Sequence, residues 1–203
     1  SKLTTFAALI FSDTIDGSTG TTRDTVTGLY NDTYYWRVRA IDDLANQGAY
    51  SATRGLLTDT IVNQVSLSLP ADGHETTTLQ PVVSWSAITD SVGVDSYIIE
   101  VARTSAFTTL VFADTVDAAY TIDTIGTLTG NDTYYWRVRG VDVLNNVGPN
   151  SAVRGFVIDT RTSQVTLAQP ADAHETTAIN FLVVWDALAD SVGIDSYAIE
   201  VSK

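Results

Sequence analysis

Nine residues, Asn31-Asp-Thr-Tyr-Tyr-Trp-Arg-Val-Arg39, recur unchanged at 131–139, 100 positions later. Flanking segments repeat at the same offset. Residues 61–102 match 161–202 at 23 of 42 positions, and 31–60 match 131–160 at 19 of 30, both without a gap. A self-similar period of that length means one domain type used more than once. The frame is displaced. Residues 1–60 read as the back part of one unit, 61–160 as a whole unit, and 161–203 as the front part of another.

The whole unit has no helical period and many turn signals, so it reads as short strands. Val65–Leu69 alternates and stops at Pro70-Ala-Asp-Gly73. Pro81–Trp85, Asp95–Val101, Phe107–Phe112, Tyr120–Ile122, Thr133–Val141 and Arg154–Ile158 follow. About seven strands in about 100 residues predict an all-β, two-sheet sandwich. Side chains alternate across a strand. Tyr134, Trp136, Val138 and Gly140 are therefore assigned to the core, and Tyr135, Arg137 and Arg139 to the outer face. Trp85 is expected to meet Trp136 from the facing sheet. Thr is the commonest residue, 30 of 203, and its branched β-carbon suits such a pleated surface.

Composition removes several functions. The net charge is −13 with 11 Lys and Arg, so a basic groove for nucleic acid or an anionic membrane is not available. With no cysteine, disulfides, thiolate metal sites and cysteine nucleophiles are excluded. No apolar run is long enough to span a bilayer, so direct membrane insertion is not expected.

The pattern Leu128-x5-Tyr134-x-Trp136-x-Val138-x-Gly140, with Trp85 and Tyr97-x-Ile99-x-Val101, resembles a fibronectin type III domain. The bacterial and archaeal surface-protein variety is most similar, through Pro70-Ala-Asp-Gly73, Val141-Asp142 and Asn146-Val-Gly148. The resemblance implies tandem immunoglobulin-like, seven-stranded sandwiches and an extracellular or cell-surface location. It places Tyr34 and Tyr134 at the family's tyrosine corner. Trp36, Val38, Trp85, Tyr97, Trp136, Val138, Trp185 and Tyr197 are the matching core positions. Gly28 stands where Leu128 does, so that turn is expected to be built differently. Arg54-Gly55 and Arg154-Gly155 are not followed by Asp, which leaves integrin-type adhesion unsupported.

Candidate chemistry is sparse. His74-Glu75 and His174-Glu175 lack the further His of a zinc-protease motif and read as polar turns. Asp72, Glu75, Asp90, Asp95, Asp114, Asp117, Asp142 and Asn146 are assigned to loops or strand ends, where calcium takes oxygen ligands. No EF-hand spacing supports a calcium site, and no cofactor is expected. Asn31-Asp-Thr33 and Asn131-Asp-Thr133 are candidate N-glycosylation acceptors in exposed turns, though Asn-Asp also simply suits a turn. No nucleophile elbow or phosphate loop occurs, so the chain is not expected to be an enzyme.

The reading that follows is a structural repeat of an extracellular rod or filament. Residues 161–203 would be completed by residues 1–60 of the next copy, head to tail. The two parts leave the middle unit at opposite poles and so are not expected to close on each other. The shared Ser-Lys at 1–2 and 202–203 favours a continuous array over strand-donating subunits. Linkers Asp59–Gln64 and Asp159–Gln164 are short and poor in Gly, which predicts stiff docking. The alternative is an adhesin or a carbohydrate-binding accessory module of a secreted protein, with glycans as partners.

Overall fold

The computed structural model describes residues 6, 8–190 and 192–203. Residues 1–5, on which the junction with a preceding copy was read, lie outside the described residues.

Residues 61–160 form two packed sheets. One holds β3 (Leu67–Leu69), β5 (Val82–Trp85) and β8 (Ile122–Thr124). The other runs β4 (His74–Thr76), β10 (Arg154–Ile158), β9 (Asp132–Asp142), β6 (Val94–Ala102) and β7 (Leu110–Asp117). All pairings are antiparallel except β4 with β10. This is an immunoglobulin-like β-sandwich. Val65, Val83, Trp85 and Ile125 meet Tyr97, Ile99, Val101, Tyr134, Trp136, Val138, Phe156 and Ile158 in one apolar core. Alternation along β9 decides which side chains enter it.

Three details depart from the sequence reading. The sandwich has eight strands, because His74-Glu75-Thr76 is an edge strand and not a turn. Pro70 cannot donate to a ladder, and the chain passes there from one sheet to the other. Gly73 N–H then donates to Gly155 O (2.8 Å), and Gly155 N–H to Asp72 Oδ1 (2.7 Å). Phe107 lies before its strand, at φ 53°, and that strand extends to Asp117. Glu75 and Asp114 therefore sit within strands and not in loops. The ring that Trp85 meets is Tyr97, edge-on at 5.5 Å between centroids.

Outside the whole unit the same sequences pair less. β1 (Asp32–Trp36) pairs with β2 (Arg54–Thr58) in the β9–β10 register, and β11 (Leu167–Gln169) with β12 (Val184–Trp185) in the β3–β5 register. β9 continues for six residues beyond Trp136 because β6 lies beside it. β1 stops at Trp36. Residues 194–203, the counterpart of β6, form no strand. A ladder needs a partner for its amides and carbonyls, so identical residues give different lengths of strand. Among the described residues, no helix is long and apolar enough to cross a membrane.

Candidate functional site at the junction of two units

The segment Asp59–Gln64 joins β2 to the sandwich, and its side chains hold it against two loops of that sandwich. Val62 and Val65 are buried, at 4% and 2% exposure. Gly140 and Gly148 give Val62 its place. A Cβ on Gly148 would stand 3.0 Å from Val62, and one on Gly140 2.5 Å from Ile88. Asn63 Nδ2 donates to Thr89 O (2.8 Å), and Gln64 Nε2 to Asn150 O (2.6 Å). Asn146 Nδ2 donates to Asp59 O (3.0 Å) and to Asp142 Oδ2 (2.7 Å). Asp142 in turn shapes its own loop, its Oδ1 accepting from the amides of Leu144 and Asn146.

At the other end, Thr60 Oγ1 donates to Asn31 Oδ1 (2.8 Å). The second linker ties to the same acceptor, Asn131 Oδ1, with Thr160 donating from its N–H (3.0 Å) and its hydroxyl (3.5 Å). Both candidate glycosylation acceptors are exposed, and both use their side-chain oxygen to tie a linker to the turn before β1 or β9.

Three carboxylates meet where the linker enters. Oxygens of Asp59, Asp90 and Asp142 lie within 4.8 Å of one another. Asp59 and Asp142 are buried, and Asp90 is half-buried. The Ser91 hydroxyl and the Ile61 amide donate to Asp59 and hold its carboxyl below the ordinary range, although burial opposes them. Hard cations such as calcium take carboxylate oxygens of this kind, and among the described residues these three are the set that could hold one. The same oxygens are already engaged by internal donors. Asp59 and Asp90 also line a cleft of about 510 Å³ between the β1–β2 hairpin and the sandwich, with Asn31, Asn63 and Ser91.

Asp90 and Asp142 were legible as acidic loop residues. Asp59 was not, because it was read only as linker. Its signal was recurrence: Asp42, Asp59 and Asp90 all return at 142, 159 and 190. Asp72 caps the turn before β4. Asp95 and Asp117 lie at the facing ends of β6 and β7, and none of these joins the cluster. His74 and Glu75 are exposed on edge strand β4, and His174 and Glu175 are exposed too.

The remaining singled-out residues are structural. Tyr134 donates its hydroxyl to Thr129 O (2.9 Å), whereas Tyr34 donates to Tyr30 O (2.9 Å), one residue nearer in sequence. The two corners thus close different turns, at the place where Gly28 replaces Leu128. Trp85, Tyr97, Tyr134, Trp136 and Val138 are buried. Tyr34 and Trp185 are half-buried, and Trp36, Val38 and Tyr197 are exposed. Trp185 still meets Tyr197 at 5.3 Å, as Trp85 meets Tyr97. Tyr135 is half-buried and not an open platform, since its ring covers Gly155 across the strand pair.

No family model and no curated protein matches the chain. Solved structures with similarity include the chicken CNTN1 FN1-FN3 domains, at 18% identity and TM-score 0.39, covering 64% of this chain and 44% of that one. A two-domain fibronectin type III segment of chicken tenascin gives 18% and 0.38, covering 64% and 66%. An α-L-rhamnosidase from Dictyoglumus thermophilum gives 15% and 0.38, covering 54% of this chain and 15% of that enzyme. The chain thus spans less than half the length of the CNTN1 segment.

Proposed function

We propose that the chain is a structural repeat of an extracellular rod or filament on a microbial surface, in which fibronectin type III-like sandwiches act as stiff spacers. The observation that carries this reading is the linker. Asp59–Gln64 buries Val62 and gives hydrogen bonds to both loops that flank it, which is the behaviour of a docked joint and not of a flexible tether. Repetition of the Asn–Thr tie at both linkers supports the same geometry at successive joints. The net charge of −13 keeps neighbouring rods apart and soluble.

The adhesin or carbohydrate-binding alternative would favour an aromatic platform. The cleft at the junction is lined by Asn, Asp, Thr, Ser, Leu and Ile side chains and carries no ring. Electron microscopy of material from the producing cell surface tests the proposal. Rods with a uniform axial repeat are expected, and compact monodisperse particles would overturn it.

A further inference from the structure

In the complete sandwich two strands end their sheets on the same side. β7 is last in the five-stranded sheet and β8 last in the three-stranded one. A Cβ on Gly126, just past β8, would stand 3.2 Å from the Phe112 ring on β7. Ladder alternation gives the direction of each edge amide. Ala118 N–H donates to Asp95 O (2.9 Å), so the bonded pairs of β6 with β7 are Tyr97–Val116, Ile99–Asp114 and Val101–Phe112. The amides of Ala113, Thr115 and Asp117 then point away from β6. Ile125 N–H donates to Pro81 O (3.0 Å), so on β8 Asp123 bonds Val83, and the amides of Ile122 and Thr124 point away from β5. Such a row of open amides and carbonyls is a template for another strand.

Two of these outward amides are already taken. Thr115 N–H donates to Asp114 Oδ1 and Thr124 N–H to Asp123 Oδ1, each at 2.7 Å. Both acids sit on the core-facing side of their strands. Asp114 alternates with Phe112 and Val116, which pack on the core, and Asp123 lies opposite buried Val83. Asp123 Oδ2 is buried and receives no hydrogen bond. Burial pushes the Asp123 carboxyl up, and the like charge of Asp114 adds to it, against the pull of the Thr124 amide. Among the described residues neither acid is in an ion pair. A buried, unpartnered carboxylate oxygen destabilises a fold where a small neutral side chain would not, so stability does not account for Asp123. Inward-pointing charges are, however, a device that keeps sheet edges from pairing. Asp13 and Asp24 accept from Thr14 and Thr25 in the same way, at 2.7 Å each, where no strand forms. The Asp-Thr dipeptide therefore closes its own amide by local chemistry, in both units.

We propose that the β7–β8 side of the sandwich is a lateral contact between copies of this chain, held shut by the carboxylates of Asp114 and Asp123. A strand laid along β7 or β8 needs the amide of Thr115 or Thr124, and it would seal both acids from water with no cation to meet them. The occupant is a second copy because each edge is self-complementary: run antiparallel, its outward amides meet the same row of carbonyls. Leu110 and Val111, 39% and 38% exposed, add apolar contact at the start of β7. The contact lies on the flank of the sandwich and is independent of the linker on which the rod reading rests.

The full chain tests this at neutral pH, with wild type as the baseline. Asp114→Ala with Asp123→Ala should sediment as larger species than wild type at the same concentration. The amides of Ala113, Asp117 and Ile122, which exchange freely in wild type, should become protected in that variant. Adding Thr115→Pro and Thr124→Pro removes the two freed amides without touching a ladder bond to β6 or β5, and should restore wild-type sedimentation. Asp123→Ala alone should raise the melting midpoint, because it removes a buried orphan oxygen. Wild-type sedimentation of the double alanine variant would overturn the proposal, as would association that survives both prolines. A lowered midpoint for Asp123→Ala would also overturn it, since the acid would then be supporting the fold and not guarding its edge. Rods of uniform axial repeat on the native surface are compatible with either result, so the rod reading stands or falls separately.

Discussion

Trp36 and Trp136 sit in identical nonapeptides, yet one is 49% exposed and the other is sealed in the core. Sequence decides which face of the strand a ring takes, and Tyr134, Trp136 and Val138 were legible for that reason. Whether the ring is buried depends on what covers it. Trp136→Ala should cost about 3–5 kcal/mol in urea unfolding of the whole unit. Trp36→Ala in dilute monomer should cost under about 1 kcal/mol, because little apolar area is lost from a half-exposed ring. At Asp59 the sign of a pH effect can be worked out. Its folded pKa lies below the ordinary value of about 3.9. It therefore contributes stability that is present above that value and is lost as pH falls through the folded pKa. In chelator, wild type should melt above Asp59→Asn by a constant margin above about pH 5, with the margin shrinking below about pH 4. Melting scans across that range check it.

At the scale of elements, the strands that were missed are those whose partners are remote in sequence. β4 is three residues long, and only the parallel neighbour β10, some 80 positions later, makes it a strand. The reverse error is also instructive. Residues 196–201 carry the same alternation as 96–101, and they form no ladder because β7 and β9 counterparts do not flank them. Periodicity reports which side chains share a face. It does not report whether an edge is occupied. Amide hydrogen exchange should separate the two directly. In dilute solution, amides of 97–101 and 137–141 should be strongly protected, those of 37–41 less so, and those of 197–201 should exchange within the dead time of a manual experiment. Equal protection of both copies in dilute monomer would contradict the strand assignments.

For the whole molecule, the question is what keeps one sandwich aligned with the next. The repeat length and the shortness of the linker were legible, and they suggested stiffness. The means were not. Gln64 is more than 80 positions from Asn146 and Asn150, and nothing in the local sequence marks Asn146 as a hinge pin. Its amide group ties the backbone of Asp59 to the side chain of Asp142, so one side chain couples linker and loop. Asn146→Ala removes both bonds and leaves the sandwich core untouched. It should lower the stability of 61–160 by only about 1 kcal/mol, while freeing the joint on which Val62 is seated. Val62→Ser should act in the same direction, by weakening the apolar seat against Gly140 and Gly148. Small-angle scattering of the monomer reads the difference. Wild type should give a well-defined maximum dimension and a scattering profile of a rigid body. Asn146→Ala combined with Val62→Ser should broaden the distance distribution at unchanged mass and unchanged circular dichroism. An identical distribution would mean that stiffness resides elsewhere, and the docked linker would lose its role as the spacer's joint.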